Sequence, residues 1–278
     1  MRSTRLLAPV ALFAALGLSA CGGSSDSADA PAKDCTPRHT FSTLSKGTLT
    51  VAGFDLPPYT KLKGKEITGV DGEILKAFAK QECLTVTPKW MGTAAVIPTV
   101  QSNRADLGVG DWYRTAKRDA IVSLSDPLYL DQMGVISKDG IDSIPAFKGK
   151  KVGTVDGYLW VEDLKTYLGG DLKVYPTSVA LVQDMKSGRL DIGIDSYGSA
   201  VYSNPTLKVK VAKADSNVAA SQEAAQSAFV IPKANGELLK AFNEYVKTAH
   251  EDGTIEKALT ANKLDTSAAD TGASRLIK

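Results

Sequence analysis

Histidine is nearly missing from this chain: 278 residues hold two, His39 and His250, far apart and without cysteine or carboxylate neighbours at metal-ligand spacing. No metal centre is expected, because such a site gathers several ligands in register. Cysteine is scarce as well, with Cys21, Cys35 and Cys83 alone. Neither sign of charge dominates. There are 33 basic and 31 acidic residues, and setting aside Arg2 and Arg5 balances them. A nucleic-acid partner needs clustered positive charge, so none is expected. After the first twenty residues no apolar run approaches the ~20 residues of a membrane-spanning helix. GxSxG, phosphate-loop and GxGxxG patterns are missing too, which removes the sequence support for nucleophile-elbow hydrolases and nucleotide-binding loops.

What is present starts at the N-terminus. Met1, Arg2 and Arg5 precede an apolar run from Leu6 to Leu18, followed by Ser19, Ala20 and Cys21. A basic start, a short apolar stretch and small residues read as a secretory signal over 1–20. The order Leu18-Ser19-Ala20-Cys21 resembles the lipobox of bacterial lipoproteins. That resemblance implies cleavage before Cys21, diacylation of its thiol, and a lipid anchor on the cell membrane outside the cytoplasm. The alternative is an ordinary secretory signal with an incidental cysteine. If Cys21 carries lipid, Cys35 and Cys83 remain. Outside the cytoplasm such a pair favours a disulfide over two unpaired, buried thiols. Residues 21–46 begin with a Gly, Ser, Ala and Asp stretch and are read as the lipidated cysteine and a flexible linker. Residues 266–278 show no periodicity and are expected to fray as a C-terminal tail.

Between them strand and helix patterns alternate. Thr48–Phe54, Leu84–Pro88 and Asp106–Gly110 read as strands. Asp71 is expected to cap a helix reaching about Glu82, with Ile74, Leu75 and Phe78 on one face. Trp160, Val161, Leu164, Tyr167 and Leu168 share one helix face, as do Leu238, Leu239, Phe242, Tyr245, Val246 and Ala249. This alternation implies parallel α/β sheets. An internal echo suggests two of them. Ser102-Asn103-Arg104-Ala105-Asp106-Leu107-Gly108-Val109 matches Ser187-Gly188-Arg189-Leu190-Asp191-Ile192-Gly193-Ile194, and Gly47 to Val51 is loosely matched by Gly149 to Gly153. Ligands of open α/β sheets collect at the carboxyl ends of strands, here Gly110-Asp111-Trp112-Tyr113 and Asp195-Ser196-Tyr197. Asp106 and Asp191 precede their strands and are read as turn residues.

Several segments carry a wider likeness. Gly69-Val70-Asp71-Gly72-Glu73-Ile74-Leu75, Ile97-Pro98-Thr99-Val100-Gln101-Ser102, Arg118 to Ser125-Asp126-Pro127-Leu128-Tyr129, and Phe147-Lys148-Gly149-Lys150-Lys151-Val152-Gly153 occur in the order and spacing of the polar-amino-acid-binding family of ABC importer solute-binding proteins, extracellular family 3. The chain resembles that family over about 47–262. The resemblance implies an α/β, two-lobed periplasmic-binding-protein fold, with two Rossmann-like lobes joined by two hinge strands. Lobe one takes 47–131 plus 227–265 and lobe two takes 132–226. It also implies a monomer without cofactor that closes on an amino acid or similar small zwitterion and delivers it to a membrane permease.

An amino acid brings two charges into a dry cleft, and each needs a partner. Arg118 stands at the family's carboxylate-binding arginine, and Asp195 matches its amine-binding acid. A surface salt bridge for Arg118 and a helix cap for Asp195 are the plainer alternatives. Arg114, where the family usually has an apolar residue, is expected to face solvent. The segment also departs from the family: Tyr113 replaces a threonine and Asp111 a glycine. With Tyr59, Trp112, Tyr158 and Leu159, and with Trp160 and Asp156 nearby, these residues make the expected cleft aromatic and acidic. Such a cleft favours a cationic or methylated amine, or a flat apolar side chain. The reading is non-enzymatic. An enzyme of the cyclohexadienyl dehydratase kind on the same fold, which needs an acid placed for proton transfer, a binding protein for a quaternary-ammonium solute, and a sensor domain are the alternatives.

Overall fold

The computed structural model describes residues 34–278. The expected leader 1–20, the lipidation site Cys21 and the first part of the expected linker lie outside the described residues.

The alternating pattern folds as two α/β layers. The chain first runs through β1 (Thr48–Gly53), the paired strands β2 (Lys61–Lys63) and β3 (Glu66–Thr68), α1 (Val70–Gln81), β4 (Thr85–Trp90), α2 (Thr93–Gln101), β5 (Leu107–Tyr113), α3 (Ala116–Asp119), β6 (Ser123–Leu124) and β7 (Leu130–Asp131). It continues through β8 (Met133–Ser137), β9 (Val152–Val155), α4 (Val161–Leu168), β10 (Leu172–Tyr175), α5 (Ser178–Lys186), β11 (Ile192–Ser196), α6 (Tyr197–Ser203) and β12 (Lys208–Val211). It ends with β13 (Ala225–Ile231), α7 (Gly236–Glu251) and α8 (Thr254–Ala261). One sheet has the order β4-β1-β5-β13-β6, with β7 paired to β13; the other is β10-β9-β11-β8-β12. The chain leaves the first sheet after β7 and returns at β13. The two crossings lie side by side, with Asp131 opposite Ala225 and Leu130 opposite Gln226.

The sequence echo is a structural repeat. In the first lobe the Asp106 carboxylate accepts from Thr50 N at 2.7 Å, while Asp106 N donates to Thr50 O at 2.8 Å. In the second, Asp191 accepts from Lys151 N at 2.8 Å and donates to Lys151 O at 2.9 Å. Each turn aspartate staples its strand entrance to the neighbouring strand. Ahead of each, one left-handed residue ends a helix: Asn103 at φ 54° and Gly188 at φ 69°.

Helix α7 buries Leu238, Ala241, Phe242, Tyr245, Val246 and Ala249, and Asn235 caps it by accepting from Leu238 N at 3.2 Å. Helix α1 departs from expectation. Its cap is Gly69, and Asp71, one position inside the first turn, is fully buried. The Asp71 carboxylate accepts from Tyr129 Oη at 2.7 Å and from the N–H groups of Gly110 and Asp111 at 2.9 and 3.1 Å. A carboxylate with three tertiary donors has no reason to turn back to its own helix.

Cys35 and Cys83 form a disulfide that closes a 48-residue separation. Restricting the unfolded chain in this way contributes about 2–4 kcal/mol. Cys35→Ser is expected to lower the unfolding free energy of residues 34–278 by that amount and to steepen its denaturant dependence, because the released unfolded chain exposes more surface; denaturant melts with an unchanged midpoint and slope overturn the expectation.

Two expectations are corrected at the C-terminus. Arg114 is 9 % exposed. Its guanidinium donates to Ser125 O, to Ser274 Oγ at 2.9 Å and to Arg275 O at 3.4 Å. The terminal segment, expected to fray, is fastened on both sides. Ile277 N donates to Arg114 O at 3.0 Å, Ala116 N donates to Ile277 O at 2.9 Å, and the Gln226 amide donates to Thr271 O and Ala273 O at 2.8 Å each. Arg114 thus clamps the tail rather than facing solvent.

Candidate functional site

The site starts from an irregularity in β5. Ser227 and Ala228 of β13 face Tyr113 and Trp112, but Val230 faces Gly108, so the intervening residues of β5 bulge out of the ladder. Gly110 has φ 132° and Asp111 φ 51°. The first needs glycine, since a Cβ there would lie 2.3 Å from Phe54 Cε1. Aspartate is among the few residues that tolerate the second. The N–H groups freed by the bulge are those that donate to Asp71. Bulges of this kind commonly re-aim a side chain beside a functional site.

Here the re-aimed side chain is Asp111. It is 6 % exposed, and neither carboxylate oxygen has a hydrogen-bond partner among the described residues. Burial, and the Asp131 carboxylate next in importance, push its pKa well above the usual carboxylate range. Asp131, on β7, is itself occupied. Its Oδ1 accepts from Tyr59 Oη and its Oδ2 from Tyr113 Oη, both at 2.7 Å. Burial raises both phenols, with Asp131 adding to the shift, so they remain neutral donors.

Asp111 lines a cavity walled by Phe54, Leu56, Gly110, Trp112, Tyr113 and Arg118 on one side and by Tyr158, Leu159, Trp160 and Ser196 on the other. Six of the eight sequence-expected ligand residues therefore line this one cavity: Arg118, Asp111, Trp112, Tyr113, Tyr158 and Leu159. The other two stand behind it. Tyr59 stacks on Tyr129 at 5.3 Å and reaches Asp131. Asp195 is fully buried and its acceptor capacity goes to its own lobe: Tyr158 Oη at 3.0 Å, Ser196 N at 2.9 Å and Ser178 Oγ. Burial raises its pKa to about 6 against the effect of those bonds. Asp156 is exposed and forms no part of the wall. Trp160 does, with its indole N–H on Thr154 Oγ1 at 2.7 Å. Phe54 and Leu56 escaped the sequence reading, whereas Gly110 and Ser196 belong to the strand-end segments it named, without being singled out as ligand residues. Phe54 and Ser196 sit at the carboxyl ends of β1 and β11, the rule that located the site.

Arg118 is set by α3, whose cap Thr115 accepts from Arg118 N at 3.0 Å. Its guanidinium lies 5.0 Å over the Trp112 ring and donates to Tyr113 O at 2.9 Å and to Gly157 O at 3.2 Å. Those two bonds leave guanidinium N–H groups over. Among the described residues no carboxylate pairs with it. Burial lowers its pKa to about 10, which keeps it charged at neutral pH. Gly157 belongs to the second lobe, so this bond spans the mouth. A Cβ at Gly157 would lie 3.1 Å from Ala94 Cα, and one at Gly198 would lie 2.3 Å from Tyr59 Oη. The lobes are in contact around the cavity. Chemically, the pocket offers an unpaired cation, an unpaired acid and aromatic faces between them.

The family model described as bacterial extracellular solute-binding proteins, family 3, matches residues 49–262. The arginine-binding extracellular protein ArtP of Bacillus subtilis is 29 % identical over 260 residues, covering 91 % of this chain and 94 % of that protein. An ancestral arginine-binding protein solved with arginine is 28 % identical, with a TM-score of 0.68 over 78 % of this chain and 98 % of its own. AbpA of Streptococcus pneumoniae, an ABC transporter substrate-binding protein solved with L-arginine, is 26 % identical, with a TM-score of 0.69 over 80 % and 97 %.

Proposed function

Because the chain belongs to family 3 of the bacterial extracellular solute-binding proteins, we propose that it captures an amino acid carrying net positive charge and hands it to the permease of an ABC importer, working outside the cytoplasm from a lipid anchor at Cys21. One observation carries the ligand class: a single guanidinium lines the cavity with the unpartnered acid Asp111, and two further buried acids, Asp131 and Asp195, stand behind the wall. A zwitterion would bring one negative and one positive charge to that excess of acid. A cationic side chain adds the second positive charge that buried carboxylates call for.

The α-carboxylate docks on the spare N–H groups of Arg118, where charge-assisted bonds are strongest. The guest's aliphatic stem lies among Phe54, Trp112, Tyr158 and Trp160. Asp195 holds Tyr158 in that wall. Lobe closure brings Gly157 onto Arg118 and shuts the mouth, a hinge motion about the paired crossings. The names of the relatives, which describe arginine-binding proteins, support this class.

A thermal-shift and calorimetric screen of the soluble domain against the common amino acids and glycine betaine tests the reading. A ligand that binds only the folded state raises the melting point by mass action. L-Arginine or L-lysine is expected to give the largest shift, and to be recovered chemically unchanged. A response to acidic amino acids alone, or turnover of the bound compound, overturns it.

A further inference from the structure

The family position that Asp111 occupies carries a glycine in the resemblance set out above, so its carboxylate is a feature of this chain. We propose that Asp111 is the cation-binding residue of the pocket, with an N–H-bearing cation of the ligand docking on its carboxylate, in place of Asp195. The proposal rests on the reading that the cavity takes an amino acid.

Four observations converge. Asp111 is more than nine-tenths buried, lines the cavity and has two carboxylate oxygens without a partner. Asp195, by contrast, spends its oxygens on Tyr158, Ser178 and Ser196 N and is absent from the wall. The two phenols that face Asp111, Tyr59 and Tyr113, donate to Asp131 instead, and the Ser227 hydroxyl beside it can hydrogen-bond but brings no positive charge. Finally, the backbone is arranged for Asp111: a bulge, a left-handed residue, and two N–H groups tied down by Asp71. Strain held in place by surrounding bonds is characteristic of functional positions.

The chemistry selects the guest. A buried carboxylate facing further acids wants charged hydrogen-bond donors, which ammonium and guanidinium groups supply and a quaternary ammonium, having no N–H, does not. Since Arg118 and Asp111 both belong to the first lobe, that lobe alone holds both ionic contacts and the second lobe supplies the aromatic cover.

The test uses Asp111→Asn and Asp111→Gly, both compatible with φ 51°, beside Asp195→Asn and the exposed Asp156→Asn. Binding of L-arginine, L-lysine and L-glutamine is measured by calorimetry, and apo melting points are taken from pH 5 to 8. Both Asp111 variants are expected to bind the cationic probes ~100-fold more weakly or worse, as removal of one member of a buried charge pair does. Loss of L-glutamine as well places the α-ammonium on Asp111; its retention places the side-chain cation there, and either supports the assignment. Apo Asp111→Asn should melt higher than the parent, because an uncompensated buried acid is gone. The margin should widen as pH rises. The groups facing Asp111 are Asp71 from α1, Asp131 from β7, Tyr59, Tyr113, Tyr129, Tyr158 and the Arg118 cation, and the acids among them hold its pKa up. An acid with a raised folded pKa contributes its stability below the unfolded pKa of ~4 and loses it as pH climbs through the folded value. Asp156→Asn should match the parent. Unchanged affinity in both Asp111 variants, or loss of binding in Asp195→Asn alone with its melting point intact, overturns the assignment. A parent that binds none of the probes overturns the amino-acid reading itself, and this proposal with it.

Discussion

Arg118→Gln is expected to lower affinity for the amino-acid ligand by ~100-fold or more, the usual result of removing a desolvated, charge-assisted donor. The guanidinium lies over Trp112, gives two bonds to carbonyl oxygens, and keeps its remaining N–H groups for a partner no carboxylate of the described chain supplies. Its charge has been brought half out of water, with burial lowering the pKa to about 10. That arrangement costs stability in the free protein and is repaid only when an anion arrives. The apo melting point of the glutamine variant should therefore match or exceed the parent value, the relieved desolvation offsetting the lost bonds to Tyr113 O and Gly157 O, while the ligand-induced shift vanishes. Lysine should be a poor replacement, because a point charge cannot make the paired bonds of a planar fork. Calorimetry on the three proteins checks this. Parent-like affinity in Arg118→Gln would mean that the ligand's carboxylate is held elsewhere.

The second large effect concerns the C-terminus. Deleting residues 271–278 is expected to destabilise the fold by about 3 kcal/mol or more, since several buried polar groups lose their partners at ~1–3 kcal/mol apiece. Gln226 loses both carbonyl acceptors and the Arg275 N–H that donates to its Oε1, and Arg114 is left without Ser274, Arg275 and Ile277. Ile277, 8 % exposed, is removed from the core of the second lobe. For a domain of this size the melting point should fall by roughly 6–12 °C. Arg114→Ala should reproduce much of the loss. Because Arg114 follows Tyr113 directly and Gln226 lies beside Ser227, the deletion should also weaken ligand binding. Scanning calorimetry of the truncated domain, with and without ligand, measures both. A melting point within a degree of the parent would show that the tail contributes nothing.

The two large effects differ in how far the sequence foretold them. Arg118 and the aromatic segment Trp112-Tyr113 stood out because motif spacing is local, and because sheet topology places strand ends at the cleft. The same locality made the helices legible, along with the echoed turns at Asn103 and Gly188: apolar periodicity and left-handed turn residues act within a few positions of themselves. Arg114 was misjudged for the opposite reason. Its partners Ser274 and Arg275 are some 160 residues away, and no nearby pattern announces them. Asp71 looked like a helix cap because aspartates near helix starts often are; the donors that claimed it belong to the bulge in β5 and to Tyr129.

By itself, then, the sequence determined a repeated α/β architecture, the identity of the charged and aromatic side chains at the strand ends, and the two cysteines that join. Which carboxylate is left open to the cavity was decided only in three dimensions. A strand alternates its side chains from face to face, so a slip in register changes where each one points. The bulge at Gly110 and Asp111 exists because β13, β5 and the Asp71 carboxylate meet there, and those three come from distant parts of the chain.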